Sequence, residues 1–481
     1  MENMLILFGA GNRGKDALRE YGKERVVFWC DNSIEKQGTY IEGIEVISFE
    51  KMLDLHKMGY SIMITPINNK DLILQLELEG VSDYLVFHGK SEFNILEEKI
   101  KTEKDYKTEN VLLDTYVKRT QKYDLLQDVR EFIKITKEAI SYCQEKNITM
   151  VHKGIRGEGH YYGNTQCLLE YADIFGFEEI YLPDVSHHAC FPVYDVEFQH
   201  NTAVIVSGTH FRRKIHQRRP YVPVFSVGPY IHYTKGIYTD EKLTIEKEKN
   251  GKTLVVFLPH SLENIDRLYS KKEYLDIIKK KFGNQFKTIL LCVYWADMSE
   301  ELYKYAQDRG MRLITSGFRF DSAFNKRQKT ILELADAVVC GDIGSFVAYS
   351  IYKGIPIARV GISNNTTLLD LQLKSEMIQK VQYDDYYKKY EQEFYSIFDD
   401  NFRNSNEQYE WMNDLAGFDQ VRSKNYIKCI FEISRDIWKR AEGKLNKYPE
   451  AVRKVYKDYE RKGLFYKMSI LREATEGYVE Y

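Results

Sequence analysis

Short apolar blocks recur along this chain, separated by longer segments in which apolar residues return every third or fourth position. Blocks of that length suit buried parallel strands and the intervening spacing suits amphipathic helices, so the pattern predicts repeated strand–helix units and an α/β fold. Early strands are expected at residues 4–8, 26–30, 61–68 and 81–88, with a helix over 15–21. Middle strands are expected at 148–152, 180–182 and 203–207, and a further one opens the segment 222–233. Later strands fall at 254–258, 288–293, 311–315 and 337–340, with helices over 272–282, 299–308 and 325–335. Residues 97–146 are rich in charge but keep apolar residues at helical spacing, which predicts one or two amphipathic helices joining domains, their charges facing water. Beyond residue 365 the pattern turns helical and rich in tyrosine.

With 481 residues, the chain is too long for one core at about 150 residues per domain. The reading is a Rossmann-like domain at 1–100, a second domain with its helical bridge at 101–240, a third at 241–385 and a helical region at 386–481. The balance of 69 basic and 71 acidic residues argues against a general nucleic-acid binder, so any phosphate affinity must be local. Seven scattered cysteines without a C-x-x-C pair suggest reduced thiols and a cytoplasmic protein. No apolar run approaches the ~20 residues of a membrane span. Peripheral membrane contact and a homo-oligomer stay open. The histidines include a crowded group, His187, His188, His200 and His210, but no two stand at the H-x-x-x-H spacing of a helical metal site. No metal is expected, although a loosely held Mg²⁺ stays open.

Three loops carry candidate chemistry. At the front, Gly9-Ala10-Gly11-Asn12-Arg13-Gly14 follows a strand and opens a helix, and Asp31 ends the next strand. Glycines there permit a tight turn and close approach of a diphosphate, Arg13 adds a cation, and an acid in that place can bind ribose hydroxyls. The segment that follows, DNSIEKQGTYIEGIEVIS, resembles small Rossmann-like domains at the front of bacterial sugar acyltransferases and surface-polysaccharide enzymes. That resemblance implies a site for a nucleotide or nucleotide sugar. The alternative is a docking module that keeps the turn for folding.

In the later half, the segment ADAVVCGDIGSFVAYSIYKGIPIARV at 335–360 reads as strand, glycine turn, helix and strand. Its turn, with Gly341, Asp342, Gly344 and Ser345, makes an anion site at a helix N-terminus. This layout resembles the donor half of GT-B glycosyltransferases and sugar-nucleotide 2-epimerases. The resemblance implies two facing Rossmann-like domains and a nucleotide-activated donor, with no further cofactor required. Two other strand ends would face the same crevice, Pro259-His260-Ser261 and Ser316-Gly317-Phe318-Arg319.

In the middle, four glycines interleave with Lys153, Arg156, Glu158 and His160. The strand and Gly-Pro turn of VPVFSVGPYIHY resemble those of teichoic-acid-type CDP-glycerol glycerophosphotransferases. A transfer on that scaffold needs a base for the acceptor hydroxyl. His160 is the first candidate, followed by His187, His188 and Asp184. The basic run Arg212, Arg213, Lys214, Arg218 and Arg219 could meet an anionic glycan or lipid-linked acceptor, or could be a solvated helix face. The sequence thus points to a glycosyl- or polyol-phosphate transferase of surface-glycan synthesis. An epimerase or hydrolase on the same core and a non-catalytic nucleotide-sensing assembly protein are the rivals.

Overall fold

Leu5–Phe8 (β1) is buried along its whole length with a parallel strand on each side, which explains four successive apolar residues in place of an alternating pattern. The computed structural model describes residues 4–66, 70–81, 83–87, 116–121, 123–126, 129–146, 161–186, 203–217, 219–259, 265–266, 269–361, 372–373, 385–444 and 447–476. These divide into two units, Met1–Glu103 and Lys104–Tyr481.

In the first unit β1 leads into α1 (Asn12–Tyr21), β2 (Val26–Cys30), a hairpin of β3 (Tyr40–Ile41) and β4 (Ile44–Ile47), α2 (Phe49–Lys57), β5 (Ser61–Ile64), α3 (Lys70–Leu78) and β6 (Leu85–Val86). The sheet order is β3-β4-β2-β1-β5-β6, and every pair except β3/β4 is parallel. The chain therefore winds from the central β1 to one side and then to the other, the doubly wound Rossmann-like arrangement. Alternate residues of β1 feed two cores, Leu5 and Leu7 with Trp29 and Val46 on one face, Ile6 and Phe8 with Ile47 and Met52 on the other. The hairpin was not expected. Its turn residues Glu42 and Gly43 both have positive φ, 51° and 83°, as a two-residue hairpin requires.

The second unit begins with α4 (Arg130–Lys146), α5 (Asn164–Tyr171), β7 (Asp184–Val185), β8 (Val204–Val206), α6 (Thr209–His216) and β9 (Val224–Ser226). Strands β7, β8 and β9 form a three-stranded parallel sheet. The chain continues through α7 (Asp240–Asn250), β10 (Thr253–Phe257), β11 (Ile265–Asp266), α8 (Lys271–Phe282), β12 (Thr288–Cys292), α9 (Glu300–Gln307), β13 (Arg312–Ile314), α10 (Phe324–Leu334), β14 (Ala337–Cys340), α11 (Ser345–Tyr352) and β15 (Ile357–Arg359). A five-stranded parallel sheet results, ordered β13-β12-β10-β14-β15, again with its first strand in the middle. A short strand β16 (Gln372–Leu373) pairs with β11. Five helices close the chain: α12 (Asp385–Ile397), α13 (Asn406–Ala416), α14 (Lys424–Ala441), α15 (Tyr448–Arg461) and α16 (Phe465–Ala474). The α/β class expected from the sequence holds, with a Rossmann-like front unit, two further parallel sheets and a helical tail.

Two local expectations change. The strand expected at 180–182 is a 3₁₀ turn over Glu179–Tyr181, and β7 starts after Pro183. Proline has no N–H for a ladder, and the Tyr181 carbonyl instead accepts a 2.9 Å hydrogen bond from the Ser434 hydroxyl. The charged segment forms an amphipathic helix with Glu131, Lys134, Lys137 and Glu138 exposed, as expected, but it is more than a connector. Phe132, Ile133 and Ile135 of α4 pack with Tyr116, Leu254, Val256 and Leu291, so this helix covers a face of the five-stranded sheet. The expected strand at 148–152 lies outside the described residues.

Candidate functional site

In the first unit the glycine turn is built as the motif suggests. Gly9 has φ +112°, and a Cβ there would meet the Pro66 ring at 2.5 Å, while a Cβ on Gly14 would meet the Gly9 carbonyl and the Trp29 ring. Gly11 has open space around it and precedes α1, whose start has no side-chain cap. Arg13 lies against Phe87, its guanidinium 5.7 Å from the ring centre. Asp31, however, turns its carboxylate onto its own loop. It accepts from the Ala10 N–H at 2.9 Å, the Ser33 N–H at 2.9 Å and the Lys36 ammonium at 2.9 Å. Burial pushes the acid's pKa up, but Lys36 and the two amides outweigh it and hold the group below its ordinary value of 3.8.

That arrangement predicts a measurable loss. Asp31→Ala leaves three donors without their acceptor and should lower the stability of the first unit by about 1–3 kcal/mol in urea unfolding. Because the folded pKa lies below the unfolded one, the carboxylate's stabilisation is complete above the unfolded value and is lost as pH falls through the folded value. Wild-type protein should therefore show a component of acid destabilisation that the variant lacks. Equal stability of the two proteins at neutral pH would remove Asp31 as the organiser of the turn.

In the second unit the candidate site lies where the winding of the five-stranded sheet reverses, between the carboxyl ends of β10 and β14. Ligands of open α/β sheets bind at such reversals. Leu258 and Pro259 leave β10 there, and Gly341 leaves β14 so close by that a Cβ on it would meet the Pro259 ring at 2.5 Å. Asp342 is buried, whereas Gly344 and Ser345 stay half-exposed at the start of α11, which no side chain caps. Below them Phe346 stacks on Phe257 at 4.3 Å. The turn is thus fixed from beneath by packed rings.

The strand end after β13 is held by a pair that the sequence did not reveal. Arg327 of α10 and Asp321 are 3% and 0% exposed and joined at 2.6 Å. The same guanidinium donates to the Ser316 carbonyl at 3.1 Å, and Asp321 also accepts from Gln121 at 3.1 Å. Gly317, at φ +97°, brings its backbone within reach of that guanidinium, where a Cβ would clash at 2.5 Å. Ser316 is buried in this packing, and the half-buried Arg319 lies 5.1 Å over the rings of Tyr161 and Phe320.

Tyr161 belongs to the three-stranded sheet's side of the unit, so Arg319 stands where the two sheets meet. The Tyr162 N–H donates to the Arg319 carbonyl at 2.5 Å. Asn164, 1% exposed, donates to the Ser186 carbonyl at the end of β7 and accepts from Asn325 at 2.7 Å. A buried amide therefore ties the carboxyl end of one sheet to the helix that follows β13 in the other. Asp184 lies at the start of β7 and is half-buried. His160, His187, His188, His260 and Ser261 lie outside the described residues.

The basic run is in part the solvated face expected, with Arg213 and Lys214 exposed, and two of its cations have a further use. Arg212 donates to Glu476 at 2.9 Å and Arg213 to Asp414 at 2.7 Å, so these cations fasten α6 to the tail. His210 shares Asp414 at 3.1 Å. Its burial nevertheless outweighs the carboxylate and lowers its pKa. Arg218 lies outside the described residues. Among the described residues no group of three His, Cys, Asp or Glu side chains could hold a metal ion, and no helix is long and apolar enough to cross a membrane.

No protein-family model matches the sequence, and no curated relative does. Solved structures do match by shape. One is the UDP-GlcNAc 2-epimerase from Neisseria meningitidis bound to UDP-GlcNAc, at 12% identity over 90% of this chain and 98% of that one, TM-score 0.25. Another is TcCGT1 in complex with UDP, at 10% identity over 96% and 100%, TM-score 0.26. A third is Phytolacca americana UGT2 complexed with UDP-2fluoro-glucose and pterostilbene, at 11% over 95% and 100%, TM-score 0.23. Superposition at that level carries no inference about this chain, and the α/β assignment rests on its own strand order.

Proposed function

We propose that the second unit is a GT-B-type core that takes a nucleotide-activated sugar or polyol and transfers the activated group to an acceptor hydroxyl in surface-glycan synthesis. One observation carries the reading. The glycine turn at the winding reversal and the Arg319 loop belong to strand ends of one sheet, and the buried Asn164 bridge brings the end of the other sheet to them. An activated donor needs an anion cradle on one side and room for a nucleophile on the other, and this reading assigns the first to the glycine turn and the second to the space between the two sheet ends.

In the proposed reaction the acceptor oxygen attacks the carbon or phosphorus of the donor. The bond to the leaving nucleotide breaks, and its electron pair goes to the departing phosphate oxygen. The amide groups at the start of α11 and the Arg319 cation receive that charge. The acceptor proton passes to a base, with His160 the first candidate and His188 or Asp184 behind it. Asp342, Ser316 and Gly317 shape the pocket wall, and His260 and Ser261 would line the donor side from the end of β10. The Rossmann-like front unit, whose Asp31 is already engaged by its own loop, is proposed to serve mainly as a docking module.

Thermal-shift measurement against UDP-, GDP-, CDP- and CMP-linked sugars and polyols, with NAD as a control, tests this. A compound of the right class at 100 times its dissociation constant should stabilise the protein by about 2.7 kcal/mol. With that donor and an acceptor panel, Arg319→Ala should lower turnover at least tenfold. Full activity of Arg319→Ala would remove that residue from the scheme, and stabilisation by no compound would remove the donor site. Release of nucleotide without any acceptor would favour the epimerase or hydrolase rival. Binding without turnover would favour the sensing rival.

A further inference from the structure

We propose that the turn between α15 and α16 docks the protein on an anionic lipid bilayer. Three large side chains in succession, Leu464, Phe465 and Tyr466, are 38%, 63% and 48% exposed. Every other large exposed apolar side chain described is solitary along the chain, Phe175 and Ile34 included. The three stand at the end of an exposed run that begins at Glu460 and includes Arg461 and Lys462. An apolar tip beside cations is the composition by which soluble proteins enter the headgroup layer, tyrosine at the interface and phenylalanine and leucine below it.

Charge on the preceding helix selects the partner. Arg453, Lys457 and Arg461 recur at every fourth position of α15, so they share one face and leave one stripe of positive charge leading to the tip. Its exposed side chains are Arg453, Lys454, Lys457 and Arg461, continued by Lys462, against the acids Glu450 and Glu460. Lys454 pairs with Glu450 and Arg461 with Asp458, whereas Arg453, Lys457 and Lys462 make no ion pair among the described residues. The opposite face of α15 is apolar and packed, with Val452, Val455, Tyr456 and Tyr459 buried, so the helix is already seated on the protein and cannot roll over to insert. Contact is therefore through the tip and the basic stripe alone, which calls for an anionic surface. The 440 Å³ cleft between α14 and α15 is walled by residues of both signs and adds no separate ligand site.

The proposal does not depend on the donor reading, and its test does not use turnover. Full-length protein is floated with vesicles of phosphatidylcholine alone or mixed with phosphatidylglycerol. Co-flotation should require the anionic lipid and should fall as salt is raised. Phe465→Ser and, separately, Arg453→Glu with Lys457→Glu should each reduce partitioning at least tenfold without moving the melting temperature, since these side chains are exposed. No flotation with anionic vesicles, or undiminished flotation of both variants, overturns the proposal. It is also overturned if light scattering shows a concentration-dependent dimer that Phe465→Ser abolishes while vesicle binding is absent, since a second copy then covers the tip.

Discussion

Arg327→Met is expected to lower the unfolding free energy of the second unit by about 3–5 kcal/mol, the usual cost of leaving a buried charge without its partner. Asp321 is fully buried, and its carboxylate would keep only the Gln121 amide at 3.1 Å and the Ala323 N–H at 2.9 Å. Methionine is of similar length, so little of the loss should come from an unfilled cavity. Trp295 packs edge-on against Phe318 at 4.6 Å and reports on this loop, which makes urea unfolding followed by tryptophan emission the direct measurement. Converting both partners, Asp321→Asn with Arg327→Met, should recover part of the loss, because no unpaired charge then remains. A single variant within about 1 kcal/mol of wild type would mean that the pair contributes little. The single variant should also weaken any donor-dependent activity, since the Ser316 carbonyl and the path to Arg319 rest on the same guanidinium.

Gly208→Val is expected to loosen the tail from the three-stranded sheet. A Cβ at Gly208 would run into the Leu415 carbonyl and lie 2.7 Å from the Asp414 carbonyl oxygen, both of them backbone atoms that cannot rotate away. On the other side Gly417 brings its own backbone against Ser207, and Gly228 approaches the Gly417 carbonyl so closely that a Cβ would sit at 2.9 Å. Overpacking of this kind costs about 1–3 kcal/mol, with larger values where backbone must shift. A lower melting temperature and faster proteolytic cleavage around residues 398–423 should follow. Unchanged cleavage would show that the contact can be relieved locally. Gly208→Ala should produce the same changes in smaller measure.

Both doubly wound sheets were legible in the sequence because parallel strands buried on two faces need unbroken apolar runs, and Leu-Ile-Leu-Phe at β1 and Ala-Val-Val-Cys at β14 are such runs. The glycine turns were legible for a similar reason, since they follow such runs directly. The hairpin of β3 and β4 was not, because its first strand has two residues and no block to announce it. Arg327 and Asp321 could not be found either. Charged residues near the start of an amphipathic helix read as solvent-facing, and only the fold shows that Arg327 and the Asp321 that precedes α10 are buried. Asn164 is a single amide whose role arises from partners 22 and 161 positions away. The tail's helices were visible by their spacing, but their partners on α6 and β9 were not, since helical periodicity shows that a face is apolar and not what it meets.

The hydrogen bond from Arg422 to the Ser226 carbonyl spans 196 positions, and Arg422 is itself braced by Glu473 near the end of the chain. Synthesis runs from the amino terminus, so β7, β8 and β9 leave the ribosome well before the segments that complete their edges. The nascent chain must carry an unfinished early sheet until residues 422–473 have been made. A fusion partner or stop codon that disturbs α16 would then be felt first at β8 and β9, in a part of the polypeptide made long before the lesion.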